Sequence, residues 1–327
     1  MVIKILNMIL TVVAGVGAAL VVYWILNKLA ELLPGRWENR LKPYLYILPA
    51  VAAIALYILY PAIQTIVYSF ANAQSTQFVG LKNYSKLLSS AGFQQTLVTT
   101  LVWLIVAPLA AVLLGLLVAT LVDKLRPGSE KVAKTIVFFP MAISAVGAGT
   151  VWRLIYAYAP AGQPQVGIQN ALVTALGFDP VAWLSIRTAY LNTLLLIVMF
   201  LWLQVGFSMV LLSAAIKGVP TETVEAGRVD GASERQIFRR IMIPQIMPTV
   251  VTVYVTVLIG VLKLFDVVYV MTNGNFNTNV LATEFYNQLS TNFNNGYAAA
   301  IVVLMIIAVV PVMIFQVRQF RLEEANR

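Results

Sequence analysis

Between two long apolar runs the chain reads Lys217-Gly218-Val219-Pro220-Thr221-Glu222-Thr223-Val224-Glu225-Ala226-Gly227-Arg228-Val229-Asp230-Gly231-Ala232, then continues through 233–248. Gly218 and Pro220 end the preceding helix. Thr221 is placed to cap a short helix over 222–229, with its acids in the first turn, where the helix dipole favours them. Asp230-Gly231 is a turn signal. Ser233 followed three residues on by Gln236 is a capping-box pattern, so a second short helix begins there. Arg235, Arg239 and Arg240 lie toward that helix's C-terminal end, and Pro244 and Pro248 lead into the next apolar run. By itself this is a solvated amphipathic connector, as charged stretches usually are. Its flanks make it decisive.

Those flanks are membrane-like. Of 327 residues, 60% are hydrophobic and only 11% charged, whereas a soluble domain is nearer half apolar and a quarter charged. The composition excludes a soluble enzyme, a disordered chain and a nucleic-acid binder. The chain has no Cys and no His. Thiol chemistry, disulfides and imidazole acid–base catalysis are therefore excluded. A membrane span needs about 20 mostly apolar residues. Seven stretches qualify, near 5–27, 44–69, 97–122, 135–158, 189–216, 249–270 and 298–317. The run 154–178 is also uncharged, but Pro160, Gly162, Pro164 and Gly167 make it a loop.

Basic residues orient the spans. Most of the 22 Lys and Arg fall in the connections 28–43, 123–134 and 217–248 and in the tail 318–327, which places these in the cytoplasm. The C-terminus is then inside. With seven spans the N-terminus is outside, and 5–27 has two other readings, an uncleaved signal anchor or a helix lying at the interface. The expected architecture is an all-α polytopic helical bundle, a six-helix core plus one extra N-terminal helix. It divides into an N-terminal helix and linker (1–43), a transmembrane domain (44–317) and a cytoplasmic tail (318–327).

The loop also carries a resemblance. Glu225-Ala226-x-x-x-Asp230-Gly231-Ala232, with Phe238, Ile241 and Pro244 following, resembles the EAA loop of binding-protein-dependent ABC importer permeases. Gly227 stands where that family often has a second alanine. Phe78-Val79-Gly80-Leu81-Lys82-Asn83-Tyr84 is similar to the external motif of carbohydrate permeases, and Phe139-Pro140 also fits. Phe265 to Gly274, then Gly296-Tyr297-Ala298-Ala299-Ala300, resembles the maltose and alpha-glucoside branch, with Gly274-Asn275-Phe276 in place of its usual Gly-Gly-Pro.

The resemblance implies that the loop is a coupling helix docked on a cytoplasmic ABC ATPase dimer. Glu225 would offer a charge or hydrogen bond to the ATPase, Ala226 and Gly227 would permit close packing, and Gly231 would make the bend beside Ala232. Asp230 would cap the second helix, and Phe238 and Ile241 would anchor the element to the bundle. The chain has no phosphate-binding loop, since Gly147-Ala148-Gly149-Thr150 lacks the lysine. ATP and Mg would be used by the partner, with no cofactor bound here. The other implied partners are a second permease, an extracellular or periplasmic sugar-binding protein and the lipid bilayer, but no nucleic acid. The implied location is the bacterial cytoplasmic membrane.

Within the spans, Phe200, Leu203, Gln204 and Phe207 share one helical face. Aromatic plates with an amide suit a sugar's C–H faces and hydroxyls. The resemblance places this face, with Gly260, Val261 and Leu264, on the substrate pathway. Those last three are apolar where the maltose permease is more polar. Lys263 and Asp266, at i and i+3, share a helix face and have two readings: a structural ion pair, or contacts to sugar. A secondary transporter is the alternative function. It would need further intramembrane acids or coupling-ion sites, and apart from this pair the span interiors offer almost none.

Overall fold

The computed structural model describes residues 2–32 and 35–325. Arg327, in the basic tail, lies outside them. Among the described residues the structure is helical, and the one β contact is an isolated bridge between Ala71 and Phe78. The chain divides into two units, Met1–Val67 and Tyr68–Arg327.

The first unit holds α1 (Val2–Glu31), α2 (Gly35–Ile54), a π turn (Ala55–Leu59) and most of α3 (Tyr60–Tyr68). Tyr23 stacks on Tyr46 at 6.1 Å, and the Tyr46 hydroxyl donates to Asn27 at 2.7 Å. The π turn has a local cause. Pro61 has no N–H and its ring presses on the carbonyl four residues back, so the helix widens there. The same device recurs at Phe238–Met242, ahead of Pro244.

The second unit runs α4 (Lys82–Ser89), α5 (Ala91–Val122), α6 (Pro127–Phe138), α7 (Ala145–Ile155), α8 (Ile168–Ala175), α9 (Leu191–Lys217), α10 (Thr221–Val229), α11 (Glu234–Ile237), α12 (Ile243–Leu262), α13 (Asp266–Met271), α14 (Leu281–Tyr286) and α15 (Asn295–Ala325). Its centre is α5 against α9. On α5 the residues Ala107, Ala111, Gly115 and Ala119, one every four, are all buried. A Cβ at Gly115 would lie 2.5 Å from the Ser208 Cβ, so the two backbones are nearly in contact. In lipid the hydrophobic effect does not pull helices together, and small residues permit the close packing that does. Leu196, Met199 and Leu212 of α9 and Val253 and Val257 of α12 fill the same core. Trp103 meets Phe200 edge-on at 5.7 Å, and Trp152 packs on Trp202 and Tyr156.

α5 and α9 run parallel. At their starts the Gln95 amide reaches the Tyr190 hydroxyl at 3.5 Å, and at their ends the Ser213 hydroxyl donates to Asp123 at 2.7 Å. The chain between them must therefore cross from one end of the bundle to the other. It does so through two limbs, Pro127–Ala142 and Ala145–Ile155, bent by 99°. This corrects the expectation of one continuous span over 135–158. Pro140 lies in a 3-10 turn, and Ser144 then caps a new helix by accepting from the Gly147 N–H at 3.1 Å. Hydropathy does not register that break, because both limbs are apolar. Among the described residues there are six unbroken candidate spans, and the bent pair makes seven.

Glycines seat the limbs. A Cβ at Gly206 would fall 2.6 Å from the Val137 carbonyl, pressing α6 onto α9, and one at Gly149 would meet Val270 of α13 at 2.9 Å. At the α10 end of the bundle, Lys134 bridges Asp123 at 3.1 Å and Glu130 at 2.7 Å, and Lys217 also pairs with Glu130. That network ties α5, α6 and α9 together. At the opposite end Asn83 donates to the Ser69 and Ala71 carbonyls at 2.9 and 2.7 Å, which holds the motif 78–84 in place.

Two further expectations change. The stretch 154–178 is not all loop, since α8 lies within it. The second helix of 217–248 is not separate either. From Glu234 it continues through the π turn into α12 as one helix ending at Leu262, so the span expected at 249–270 both starts and stops earlier.

Candidate functional site

Two sites follow from this frame. The first is the hairpin of α10 and α11. Pro220 occupies the cap position of α10 and Thr221 is its first helical residue, which corrects the expected cap; the Thr223 hydroxyl donates to the Pro220 carbonyl at 2.7 Å. α10 closes with a paired C-terminal turn. The Ala232 N–H donates to the Gly227 carbonyl and the Gly231 N–H to Arg228, both at 3.0 Å, with Gly231 at φ +78°. That is the left-handed closure in which glycine is favoured. The cap of α11 is Ser233, in a reciprocal box with Gln236, and not Asp230, which ends α10.

The hairpin is braced internally. Gly227 is buried, and a Cβ there would lie 2.6 Å from the Ile241 Cδ1. Gly227 and Ile241 thus close the hairpin on itself. Arg228 pairs with Glu234 at 2.8 Å, and that hydrogen bond and charge raise the guanidinium pKa above its ordinary value. Phe238 is half-buried and, with Thr120, Ile216 and Met242, lines a cavity of about 480 Å³ between the hairpin and the ends of α5 and α9. Pro244, Asp230 and Gly231 are exposed and Ala232 is half-buried.

With Arg228 committed and Gly227 buried, α10 turns one face outward: Glu222, Glu225, Ala226 and Val229, at i, i+3, i+4 and i+7. Val229 is 87% exposed. Sequence reasoning missed it, because an isolated valine in a charged stretch looks like an inward anchor.

The second site is a cavity of about 280 Å³ where two helices are interrupted. It lies beside the break at Ile143 and Ser144 and beside the end of α12. Phe200, Leu203, Gln204, Gly260, Lys263, Leu264 and Asp266 all line it. Phe207 and Val261 do not. Val261 joins Val253 and Val257 in the core stripe, about 100° round the helix from Gly260. Two turns beyond Phe200, α6 has closed onto α9 at Gly206, and Phe207 no longer borders the opening. Met141, Ile143, Ala145, Phe265 and Val267 complete the wall. No pattern in the sequence marked the first three, because the bend that brings them there was not visible.

Lys263 and Asp266 do not share a helix face. α12 stops at Leu262, Phe265 takes φ −120°, and α13 starts afresh at Asp266. Among the described residues no ion pair joins the two, and both are exposed at the cavity. Interrupted helices around a midplane cavity are a recurrent way to build a transporter site, because they place free helix ends there.

Comparison with known proteins gives the context. Residues 111–321 match the family described as binding-protein-dependent transport system inner membrane component. The chain is 40% identical over 324 residues to the alpha-glucoside transport system permease protein AglF of Rhizobium meliloti, covering 95% of each. It is 44% identical over 283 residues to the osmoprotective compounds uptake permease protein GgtC of Synechocystis, covering 86% of this chain and all of that one. Among solved structures, a bacterial ABC transporter involved in the import of alginate has a chain of the same fold, with a TM-score of 0.75 at 22% identity over 88% of this chain and 99% of that one. The match across 111–321 takes in the bent span, the hairpin and the cavity, and the chain belongs to the family of binding-protein-dependent transport system inner membrane components.

Proposed function

We propose that this chain is a permease subunit of an ATP-driven importer, forming half of the pathway for a carbohydrate such as an alpha-glucoside, a disaccharide or a related sugar. The observation that carries the reading is the α10 hairpin, braced on itself by Gly227 and Arg228 and offering an otherwise uncovered face of Glu225, Ala226 and Val229. A rigid element with a bare valine suits docking into a groove on a motor subunit. The concentration of Lys and Arg at that end of the bundle supports a cytoplasmic hairpin and a cytoplasmic C-terminus. The chain is non-catalytic in this reading. ATP and Mg belong to the ATPase dimer, and a second permease and an external binding protein complete the assembly. The substrate class follows the relatives' names and the cavity, where Phe200 and Gln204 pair an apolar plate with an amide.

Two variants test the two halves. Glu225→Arg reverses the charge in the middle of the bare face. The ATPase should co-purify at least about tenfold less well, a change of about 1.4 kcal/mol, while the amount of permease in the membrane stays the same. Normal ATPase recovery and normal uptake would remove the docking role. Gln204→Leu keeps the side-chain bulk at the cavity but deletes its amide. Glycoside uptake should fall severalfold with assembly intact, because a buried hydroxyl then lacks its partner. Unchanged uptake returns that face to packing.

A further inference from the structure

α8 is amphipathic in the opposite sense to a helix in water. Ile168, Leu172 and Leu176 are 69%, 62% and 67% exposed, and Ala171 and Ala175 complete the stripe between them. Val166 and Phe178, just outside the helix, are bare as well. The polar side faces the protein. Asn170 is fully buried; its amide N–H groups donate to the Ala157 and Val181 carbonyls, each at 2.9 Å, and its oxygen accepts from the Val181 N–H and the Trp183 indole. A Cβ at Gly167 would fall 2.2 Å from the Ala157 carbonyl, so the start of the helix is pressed against the chain leaving α7. These contacts fix the rotation of α8, and the stripe cannot roll inward.

The surroundings suit hydrocarbon. No charged residue lies between Arg153 and Asp179. α7, against which α8 packs, belongs to a segment that crosses the membrane and itself leaves Val151 and Leu154 bare at i and i+3, with Tyr158 bare just beyond its end. An exposed apolar patch of this extent marks an interaction surface. Here it adjoins a surface already turned to lipid.

We propose that α8 is an interfacial membrane anchor. Its Ile168, Leu172 and Leu176 stripe lies among the upper acyl chains of the leaflet at the bundle end opposite the hairpin, and Asn170 transmits that fixed depth to the connection entering α9. That this leaflet is the outer one rests on the orientation proposed above.

The chain has no cysteine, so an introduced thiol is the single one it carries, and cysteine-free partner subunits keep the label on it. Leu172→Cys and, separately, Ile168→Cys carry a bimane fluorophore in the complete transporter, reconstituted in nanodiscs. Asp179→Cys serves as the water-facing reference. At both stripe positions the emission should be blue-shifted from the reference. Quenching by lipids brominated near the headgroup should be severalfold stronger than quenching by aqueous iodide, as for a helix about 5–10 Å into the boundary. Water-like emission with strong iodide quenching would overturn the proposal. So would blue-shifted emission that neither quencher reaches, which would place α8 against the partner permease.

Discussion

A Gly231→Pro chain is expected to insert into the membrane at the normal level, yet to recover almost no ATPase and to support almost no ATP-dependent uptake. Gly231 sits at φ +78°, while proline is locked near −65°. The N–H of residue 231 also donates to the Arg228 carbonyl, and proline has none to offer. Both ends of the α10 closure are therefore lost together. The face carrying Glu225 and Val229 then has no fixed angle to the bundle. Gly231→Ala is the graded control. It keeps the N–H, and the left-handed conformation costs it about 1–2 kcal/mol, so it should retain partial coupling. Co-purification of the ATPase, with membrane abundance measured in parallel, checks both variants. Full uptake by the proline variant would show that the hairpin's shape is irrelevant to transport.

The second large effect is expected at Gly115→Val, and it is a loss of the bundle itself. The added Cβ alone would stand 2.5 Å from the Ser208 Cβ and 3.1 Å from that residue's backbone carbonyl carbon. The obstacle is backbone, which cannot swing aside as a side chain does. Overpacking of this kind costs about 1–3 kcal/mol, and the rigid neighbour places this case at the upper end. The variant should melt several degrees lower in detergent and accumulate poorly. Gly128→Val is the comparison, because nothing lies within 4 Å of its Cβ position. Equal thermal stability of the two variants would mean that α5 and α9 do not pack as described.

The parts of this molecule visible in its sequence are those where one physical requirement dominates. Hydrocarbon thickness dictates about 20 apolar residues, so the spans were visible as runs. The Ser233–Gln236 box and the Asp230-Gly231 turn are local signals, and both formed. What stayed hidden depends on partners distant in the chain. The Ala107–Ala111–Gly115–Ala119 stripe is simply apolar until α9 lies against it. The bend at Ser144 separates two apolar limbs and leaves the hydropathy unbroken. Lys263 and Asp266 have the spacing of a helical pair, yet α12 stops before the first and α13 starts only at the second. An ideal helical wheel placed Phe207 with Phe200, but it could not anticipate that α6 would close over α9 at Gly206. At the cavity, the α9 face and positions 260 and 264 at and beyond the end of α12 were readable, and the wall from 141–145 was not.

The two interruptions have a chemical consequence for selectivity. The opening turn of α7 at Ala145 and the closing turn of α12 beside Lys263 border the same small space. Peptide N–H and C=O groups at such termini have no mate within their own helix. On the pathway proposed above, a polyol would meet those main-chain groups that the Ser144 cap and the Lys263 and Leu264 N–H bonds leave open, and these belong to no particular residue type. Walls as greasy as Leu264 and Val267 can therefore still serve a hydroxyl-rich cargo, and exchanging those side chains would alter the contour of the passage while leaving its peptide lining intact.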